Sequence, residues 1–209
     1  MDKLKELVLD GNAPESVERV KKLLEEGKEP EVILWNALIP SMDEAGELFK
    51  TGEFFIPELL VAARAMKEAM QVLKPHLVKK GIKSEGRIVL GTVKGDMHDI
   101  GKNLVAMTFE GAGFEVIDLG VDVTPEGFVE AIKKHKPVAI GMSSLLTATM
   151  LEMKNVVVAI EEAGLRKDVK ILVGGAPVTQ DYADEIGADF SSPDPITAKN
   201  YIQSFEDRF

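Results

Sequence analysis

The sequence contains no cysteine, and this absence removes several kinds of chemistry at once. Disulfide bonds, thiolate zinc sites, iron–sulfur clusters and a cysteine nucleophile are all excluded. Any bound metal ion must therefore use His, Asp or Glu side chains. Because the 209 residues include only three histidines, the choice of an imidazole ligand is narrow.

An excess of positive charge and long apolar runs are also missing. Lys and Arg total 25 against 35 Asp and Glu, which gives a net charge of −10. Nucleic-acid binding needs a cationic face, so this balance argues against it. No stretch reaches the roughly 20 apolar residues of a membrane span, and the charged, amphipathic residues 1–12 do not resemble a signal peptide. We therefore expect a cytoplasmic protein that binds neither nucleic acid nor a membrane.

Residues 1–80 have the pattern of a small helical bundle. Apolar side chains recur there at helical spacing, and Gly or Pro residues separate the segments. We predict four helices, which cover 3–9, 12–27, 31–49 and 57–77. Pro40 is expected to kink the third helix because proline lacks a backbone N–H. The polar segment 81–86 is predicted to be a linker.

Residues 87–209 instead alternate short apolar runs with amphipathic segments. The predicted strands are 87–92, 115–118, 138–142, 170–173 and 189–191. This alternation predicts an α/β domain with a parallel five-stranded sheet of the flavodoxin or Rossmann type, in the order 2-1-3-4-5. Ligands of such sheets bind beyond the carboxyl ends of the strands, where the first and third strands lie side by side.

The loops at that position carry polar side chains. The first strand ends in GTVKGDMHDIGKN, residues 91–103, and the third in GMSSLLTATM, residues 141–150. Asp96 and His98 are two residues apart, so in an extended loop they point the same way. The carboxylate can then accept the Nδ1 proton and leave Nε2 free to bind a metal. One histidine cannot hold a simple divalent ion, so the pattern suits a metal whose other ligands come from a macrocycle.

The motif Asp96-x-His98-x-x-Gly101, with four helices before it and a parallel sheet after it, resembles the cobalamin-binding corrinoid proteins. These are methyl-carrier subunits of methyltransferase systems, and the same module occurs in cobalamin-dependent methionine synthase. The resemblance spans about residues 1–205. It includes the string GDMHDIGKN, the hydroxyl-rich loop, Gly174-Gly175 and the helical segment GELFKTGEFFIPELL, residues 46–60.

The resemblance implies that cobalamin is the cofactor and that His98 is the lower axial ligand of cobalt. Asp96 would bind His98, and Thr149 or Ser143 would extend this relay. The other implied cofactor contacts are Met97, Asp99, Ile100 and Gly101 beside His98; Ser143, Leu145, Leu146 and Thr147 along the nucleotide tail; Gly174 and Gly175 near that tail; and Phe49, Ile56 and Leu59 of the helical cap over the upper corrin face.

The implied function is to carry a methyl group on cobalt between a substrate-specific methyltransferase and an acceptor methyltransferase that uses tetrahydrofolate or coenzyme M. The chain would be one component of the system and not a complete enzyme, with a reductive activase as a further candidate partner. The chemistry of the methyl donor is left open.

Several alternatives stay open at this point. A cobalamin-dependent sensor shares the module but usually carries a DNA-binding domain, and no basic helix-turn-helix is evident. A small subunit of an adenosylcobalamin mutase shares the motif but typically lacks the helical cap. A flavodoxin-like or receiver-type domain without a ligand is a third alternative. In that case His98 would be an ordinary loop residue, the hydroxyls would cap a helix, and the glycines would form a tight turn.

Overall fold

The computed structural model describes residues 1–80 and 85–205, which form two compact units. The first unit comprises Met1–Ser84 with Glu110–Gly113, and the second comprises Glu85–Phe109 with Phe114–Phe209. Most of the predicted linker, 81–86, lies outside the described residues. Among the residues described, no helix is both long and apolar enough to cross a membrane.

The first unit is helical. Its helices are α1 (Asp2–Leu9), α2 (Ala13–Glu25), α3 (Pro30–Ile33), a π-helical segment (Leu34–Leu38), α4 (Ile39–Thr51) and α5 (Ile56–Lys79). The Asn12 side chain accepts a hydrogen bond from the backbone N–H of Glu15 and caps α2. Fully buried apolar side chains form the core of the unit, among them Leu4, Val20, Leu38, Met66 and Leu73. They contribute most of its stability because burying one such side chain is worth about 2 kcal/mol.

The predicted third helix is continuous but contains a π-helical segment. Ile39 N–H donates to the carbonyl of Leu34, which is the five-residue spacing of a π-turn. Pro40 follows immediately and has no N–H to give. The irregularity expected at Pro40 therefore takes the form of a widened turn over Leu34–Leu38, shortly before the proline.

The second unit is a parallel sheet with helices between its strands. Its strands are β1 (Arg87–Thr92), β2 (Glu115–Asp118), β3 (Ala139–Ser143), β4 (Lys170–Gly174) and β5 (Phe190–Ser191). The helices are α6 (Ile100–Gly111), α7 (Pro125–His135), α8 (Met150–Glu162), α9 (Gln180–Ile186) and α10 (Pro195–Gln203). The strand order β2-β1-β3-β4-β5 and the α/β class are confirmed.

The register of the sheet places three loops at one level. Thr92 pairs with Ser143, and Ser143 pairs with Gly174. The loops that follow β1, β3 and β4 therefore begin side by side at the carboxyl edge of the sheet. The core beneath them contains fully buried side chains such as Val89, Phe128 and Ile140, so the loops stand on a rigid base.

Candidate functional site

The loop after β1 places Asp96 and His98 in direct contact. The His98 ring atom Nδ1 lies 2.7 Å from Asp96 Oδ1, and the His98 backbone N–H donates to the same oxygen over 3.0 Å. Thr92, which is fully buried, donates from its hydroxyl to the His98 carbonyl over 2.9 Å. These bonds fix both the backbone and the ring of His98.

The loop after β3 supplies the other half of the Asp96 environment. Asp96 Oδ2 accepts from Leu145 N–H at 2.7 Å, from Leu146 N–H at 3.4 Å and from the Thr149 hydroxyl at 3.0 Å. Asp96 is fully buried. Burial by itself would raise the pKa of this carboxyl, but the hydrogen bonds from His98, Leu145 and Thr149 outweigh it and hold the pKa of Asp96 far below its usual range.

A charged Asp96 determines which His98 nitrogen is available. The carboxylate accepts the Nδ1 proton, so the lone pair of the neutral ring lies on Nε2. The His98 side chain is 53% exposed, whereas its partner is fully buried. The arrangement is the one that a metal-bound histidine needs, with one nitrogen oriented by a carboxylate and the other open to a ligand.

Two hydroxyl side chains extend this pair into the loop after β3. Thr149, rather than Ser143, donates to Asp96, and it is itself 2.7 Å from the hydroxyl of Ser144. Ser143 ends β3, and its carbonyl accepts from Val93 N–H. Sequence reasoning missed Ser144. Alternation along a strand shows that Ser143 and Ser144 face opposite ways, but it does not show which one faces Asp96.

Exposed apolar side chains occupy the same two loops as the Asp96–His98 pair. Met97 and Ile100 are 68% and 83% exposed, and Leu145 and Leu146 are each 43% exposed. A β-carbon added to Gly101 would meet no atom within 4 Å. An exposed imidazole among exposed apolar groups, with open space at Gly101, fits a large apolar macrocycle bound over this edge.

The Gly174-Gly175 turn after β4 lies against the loop after β3. Gly174 accepts from Ser144 N–H over 3.0 Å. Gly175 has φ +132°, a conformation that side chains rarely adopt, and a β-carbon there would overlap the carbonyl oxygen of Ser144. The backbone conformation and the contact with Ser144 therefore require glycine at Gly175, whereas the surroundings of Gly174 leave room for a side chain.

An ion pair between the buried Lys102 and the exposed Asp118 anchors the start of α6 next to the motif. Lys102 is 3% exposed, and its Nζ lies 2.6 Å from both carboxylate oxygens of Asp118 at the end of β2. Lys102 also donates to the Asn103 side chain, which donates in turn to Asp99. Asp99 was among the predicted cofactor residues, whereas sequence reasoning missed the ion pair.

The remaining predicted residues differ in their surroundings. Thr147 is exposed in the loop after β3. In the helical unit, Phe49 is half-buried in α4, and Ile56 begins α5 with 50% of its surface exposed. Leu59, one turn further on, is fully buried in the core of that unit.

The donor set of the described residues agrees with a metal held by a macrocycle. Within residues 1–80 and 85–205, no group of three or more His, Asp or Glu side chains could hold a metal ion by itself. His98 would offer one nitrogen to a metal whose other ligands a macrocycle would supply. The residues present therefore fit a cobalamin cofactor.

Comparison with known proteins assigns both units to one kind of protein. Family models described as B12 binding domains match residues 86–196 and residues 1–74. A corrinoid protein of Desulfitobacterium hafniense is 41% identical over 192 residues, which cover 90% of this chain and 89% of the relative. Trimethylamine corrinoid protein 1 of Methanosarcina acetivorans is 43% identical over 189 residues, with coverage of 90% and 88%.

A solved structure gives the same result. The chain is similar to a protein in the methanol:cobalamin methyltransferase complex MtaBC from Methanosarcina barkeri, with a TM-score of 0.88 and 28% identity. The match covers 99% of this chain and 79% of the other.

Proposed function

Because the chain belongs to the B12-binding corrinoid proteins, we propose that it carries a methyl group on cobalt from a substrate-specific methyltransferase to an acceptor methyltransferase. When bound, cobalamin supplies the cobalt atom that holds the methyl group. The protein supplies binding and orientation. It is a component of a methyl-transfer system and works together with the active sites of other proteins.

The observation that carries this proposal is the hydrogen bond between Asp96 and His98. We propose that His98 Nε2 is the lower axial ligand of cobalt. Asp96 keeps the proton on Nδ1 and orients the ring, as carboxylates do for metal-bound histidines. Leu145, Leu146 and Thr149 hold the carboxylate in turn.

Further residues are proposed to contact the corrinoid. Met97, Ile100, Leu145 and Leu146 supply apolar surface, and Gly101 leaves space beside it. We propose that Asp99, Ser143, Thr147, Gly174 and Gly175 line the path of the nucleotide tail. Phe49, Ile56 and Leu59 are proposed to belong to the cap, with the exposed Ile56 as a direct contact and the buried Leu59 as its support.

The partners are proposed from what the relatives are called. One relative is a trimethylamine corrinoid protein, and the similar solved structure is a methanol:cobalamin methyltransferase complex. We propose that a substrate-specific methyltransferase for a small methylated compound is the donor partner. The acceptor methyltransferase uses tetrahydrofolate or coenzyme M. The assignment is tested by reducing the cobalamin-loaded chain with a chemical reductant, adding a methylated substrate with purified methyltransferases of each class, and measuring methylated acceptor.

The axial ligand can be tested directly. The protein is uniformly labelled with ¹⁵N, loaded with unlabelled hydroxocobalamin, separated from free cofactor by gel filtration, and reduced to the paramagnetic cobalt(II) form. A protein nitrogen below cobalt splits each electron paramagnetic resonance line into two when it is ¹⁵N and into three when it is ¹⁴N.

We expect the twofold splitting for the labelled wild type. His98→Ala is the matched variant, and we expect it to bind cobalamin more weakly and to lose the twofold splitting. A threefold splitting in the labelled wild type would show that the cofactor's own base lies below cobalt, and the axial assignment would be wrong. A chain that elutes without cobalamin would refute the proposed function itself.

A further inference from the structure

The hydroxyl of Ser144 lies at the centre of the hydrogen bonds that support Asp96. Ser144 is fully buried, and its Oγ is 2.7 Å from Thr149 Oγ1 and 3.1 Å from the Leu146 carbonyl oxygen. Thr149 Oγ1 is 3.0 Å from that carbonyl and 3.0 Å from Asp96 Oδ2. The two hydroxyl protons thus have four oxygen atoms that can accept them: the Leu146 carbonyl, Asp96 Oδ2 and the two hydroxyl oxygens themselves.

The Leu146 carbonyl competes with Asp96 for the single hydroxyl proton of Thr149. A carbonyl oxygen accepts two hydrogen bonds, and the Thr149 backbone N–H already donates one to Leu146. If Ser144 donates to Leu146, the carbonyl is fully paired and the Thr149 proton goes to Asp96. If Ser144 donates to Thr149, the Thr149 proton takes the stronger acceptor, which is the charged carboxylate.

A third orientation, in which Thr149 donates to Ser144, deprives the buried carboxylate of a donor and is therefore costly. Each favourable orientation of the Ser144 hydroxyl thus directs Thr149 toward Asp96. Without that hydroxyl, the Leu146 carbonyl at the same distance competes for the Thr149 proton in every orientation, and Thr149 no longer accepts the Ser144 bond that strengthens its own donation. The charged carboxylate is still the preferred acceptor, but the Thr149–Asp96 hydrogen bond is weaker.

The backbone of Ser144 fixes the position of this hydroxyl from the side of β4. Its N–H donates to the Gly174 carbonyl over 3.0 Å, and its carbonyl occupies the space that a side chain at Gly175 would take. Ser144 is therefore held on one side by the Gly174-Gly175 turn and bound on the other to Thr149.

We infer that Ser144 is a positioning residue for His98, one that acts through Thr149 and Asp96. Its hydroxyl strengthens the hydrogen bond from Thr149 to Asp96, and Asp96 orients the His98 ring. The effect of Ser144 on cobalamin binding rests on the proposed function. The hydrogen bonds themselves are present in the chain without the cofactor.

The first test uses cofactor-free protein and ring ¹⁵N chemical shifts, measured at pH 9, where an ordinary imidazole is neutral. His98→Gln identifies the His98 signals among the three histidines. We expect Ser144→Ala to move the His98 ring shifts. Ser41→Ala, which removes another buried serine bond, from Ser41 Oγ to the Ala37 carbonyl, should leave them in place. Unmoved shifts in Ser144→Ala would overturn the inference.

The second test is a double-mutant cycle at Thr149, which separates action through that hydroxyl from any other route. Ser144→Ala is combined with Thr149→Ser, which keeps the hydroxyl, and with Thr149→Val, which removes it. We expect Ser144→Ala to move the His98 shifts in the Thr149→Ser background and to leave them unchanged in the Thr149→Val background. Equal changes in both backgrounds would refute a route through Thr149.

The Kd for hydroxocobalamin is then measured for the same set of variants. We expect Ser144→Ala to raise Kd about fivefold in the Thr149→Ser background, the factor that one hydrogen bond is worth, and to leave Kd unchanged with Thr149→Val. If Ser144→Ala does not fold, Ser144→Cys takes its place, because it replaces the hydroxyl with a slightly larger group that is only a weak donor. If the wild type binds no cobalamin, the proposed function fails, and the ¹⁵N shifts alone decide the role of Ser144.

Discussion

The carbonyl oxygen of Ser144 occupies the space in which Gly175 would otherwise carry a side chain. Gly175 also has φ +132°, so glycine is required there for two independent reasons. Because Ser144 bonds to Thr149, and Thr149 to Asp96, a displacement at this turn reaches the His98 pair within three contacts. The turn and the histidine loop are thus parts of one packed structure.

Gly175→Ala is expected to destabilise the cofactor-free protein by about 3 kcal/mol, through backbone strain and overlap with Ser144 together. Gly164→Ala is the matched control, because Gly164 also has positive φ (+73°) but no atom within 4 Å of an added β-carbon. That control should lose about 1 kcal/mol. Urea unfolding of the two variants measures the difference. Equal losses would show that the contact with Ser144 carries no cost.

The Lys102–Asp118 pair predicts an asymmetric response to substitution. Lys102 is 3% exposed and Asp118 41% exposed. Asp118→Asn leaves a buried ammonium without its charge partner and is expected to cost about 3 kcal/mol. Lys102→Met leaves a carboxylate that water can reach, so its cost should be about 1 kcal/mol. Urea unfolding at neutral pH measures both. If Lys102→Met proves the more damaging variant, the hydrogen bonds of the ammonium stabilise the fold by more than its burial costs, and the predicted asymmetry is wrong.

Much of this arrangement follows from local patterns in the sequence. The two-residue spacing of Asp96 and His98 is enough to predict their hydrogen bond, and the alternation of strands with helices is enough to place the loops after β1 and β3 at one edge. The contacts of Ser144 depend on how two loops pack. Ser144 and Gly175 are 31 positions apart in the sequence, and no local pattern predicts a contact over that separation.

The helical unit shows the same limit. Helical spacing and the motif place Ile56 and Leu59 together, yet Ile56 is half exposed and Leu59 fully buried. A helix position two or three residues along can face the core or the solvent, and only the packing of the other helices decides which. The π-helical segment before Pro40 is a further example, because a proline predicts an irregularity without giving its form.

The two tyrosines predict an alkaline limit to stability. Tyr182 donates to the Met150 carbonyl over 2.6 Å, and burial, with a contribution from Glu185, raises the pKa of its phenol. Because the folded state favours the neutral phenol, this stabilisation is complete below the ordinary pKa of about 10. It is lost as the pH rises through the higher pKa of the folded protein.

Tyr182→Phe should therefore flatten the fall in unfolding free energy above pH 10 and cost about 1 kcal/mol at neutral pH from the lost hydrogen bond. Tyr201→Phe is the comparison variant. Burial also raises the pKa of Tyr201, so this variant should flatten the same fall in unfolding free energy above pH 10. Denaturant unfolding across pH 8 to 11 checks the slope. A slope identical to that of the wild type would contradict the assignment to Tyr182.

Ile56 and Leu59 separate packing from cofactor contact in the cap. Leu59→Ala removes a fully buried side chain and should lower the unfolding free energy by about 3 kcal/mol. Ile56→Ala removes a side chain that is 50% exposed, so its cost should stay below about 1 kcal/mol.

Under the proposed function, the exposed residue Ile56 contacts the corrinoid. Ile56→Ala should then speed the light-driven loss of methyl from bound methylcobalamin, measured by absorption spectroscopy, relative to the wild type. An unchanged photolysis rate in a stably folded Ile56→Ala protein would remove Ile56 from the cofactor contacts, and a loss of stability comparable to that of Leu59→Ala would place it in the core instead.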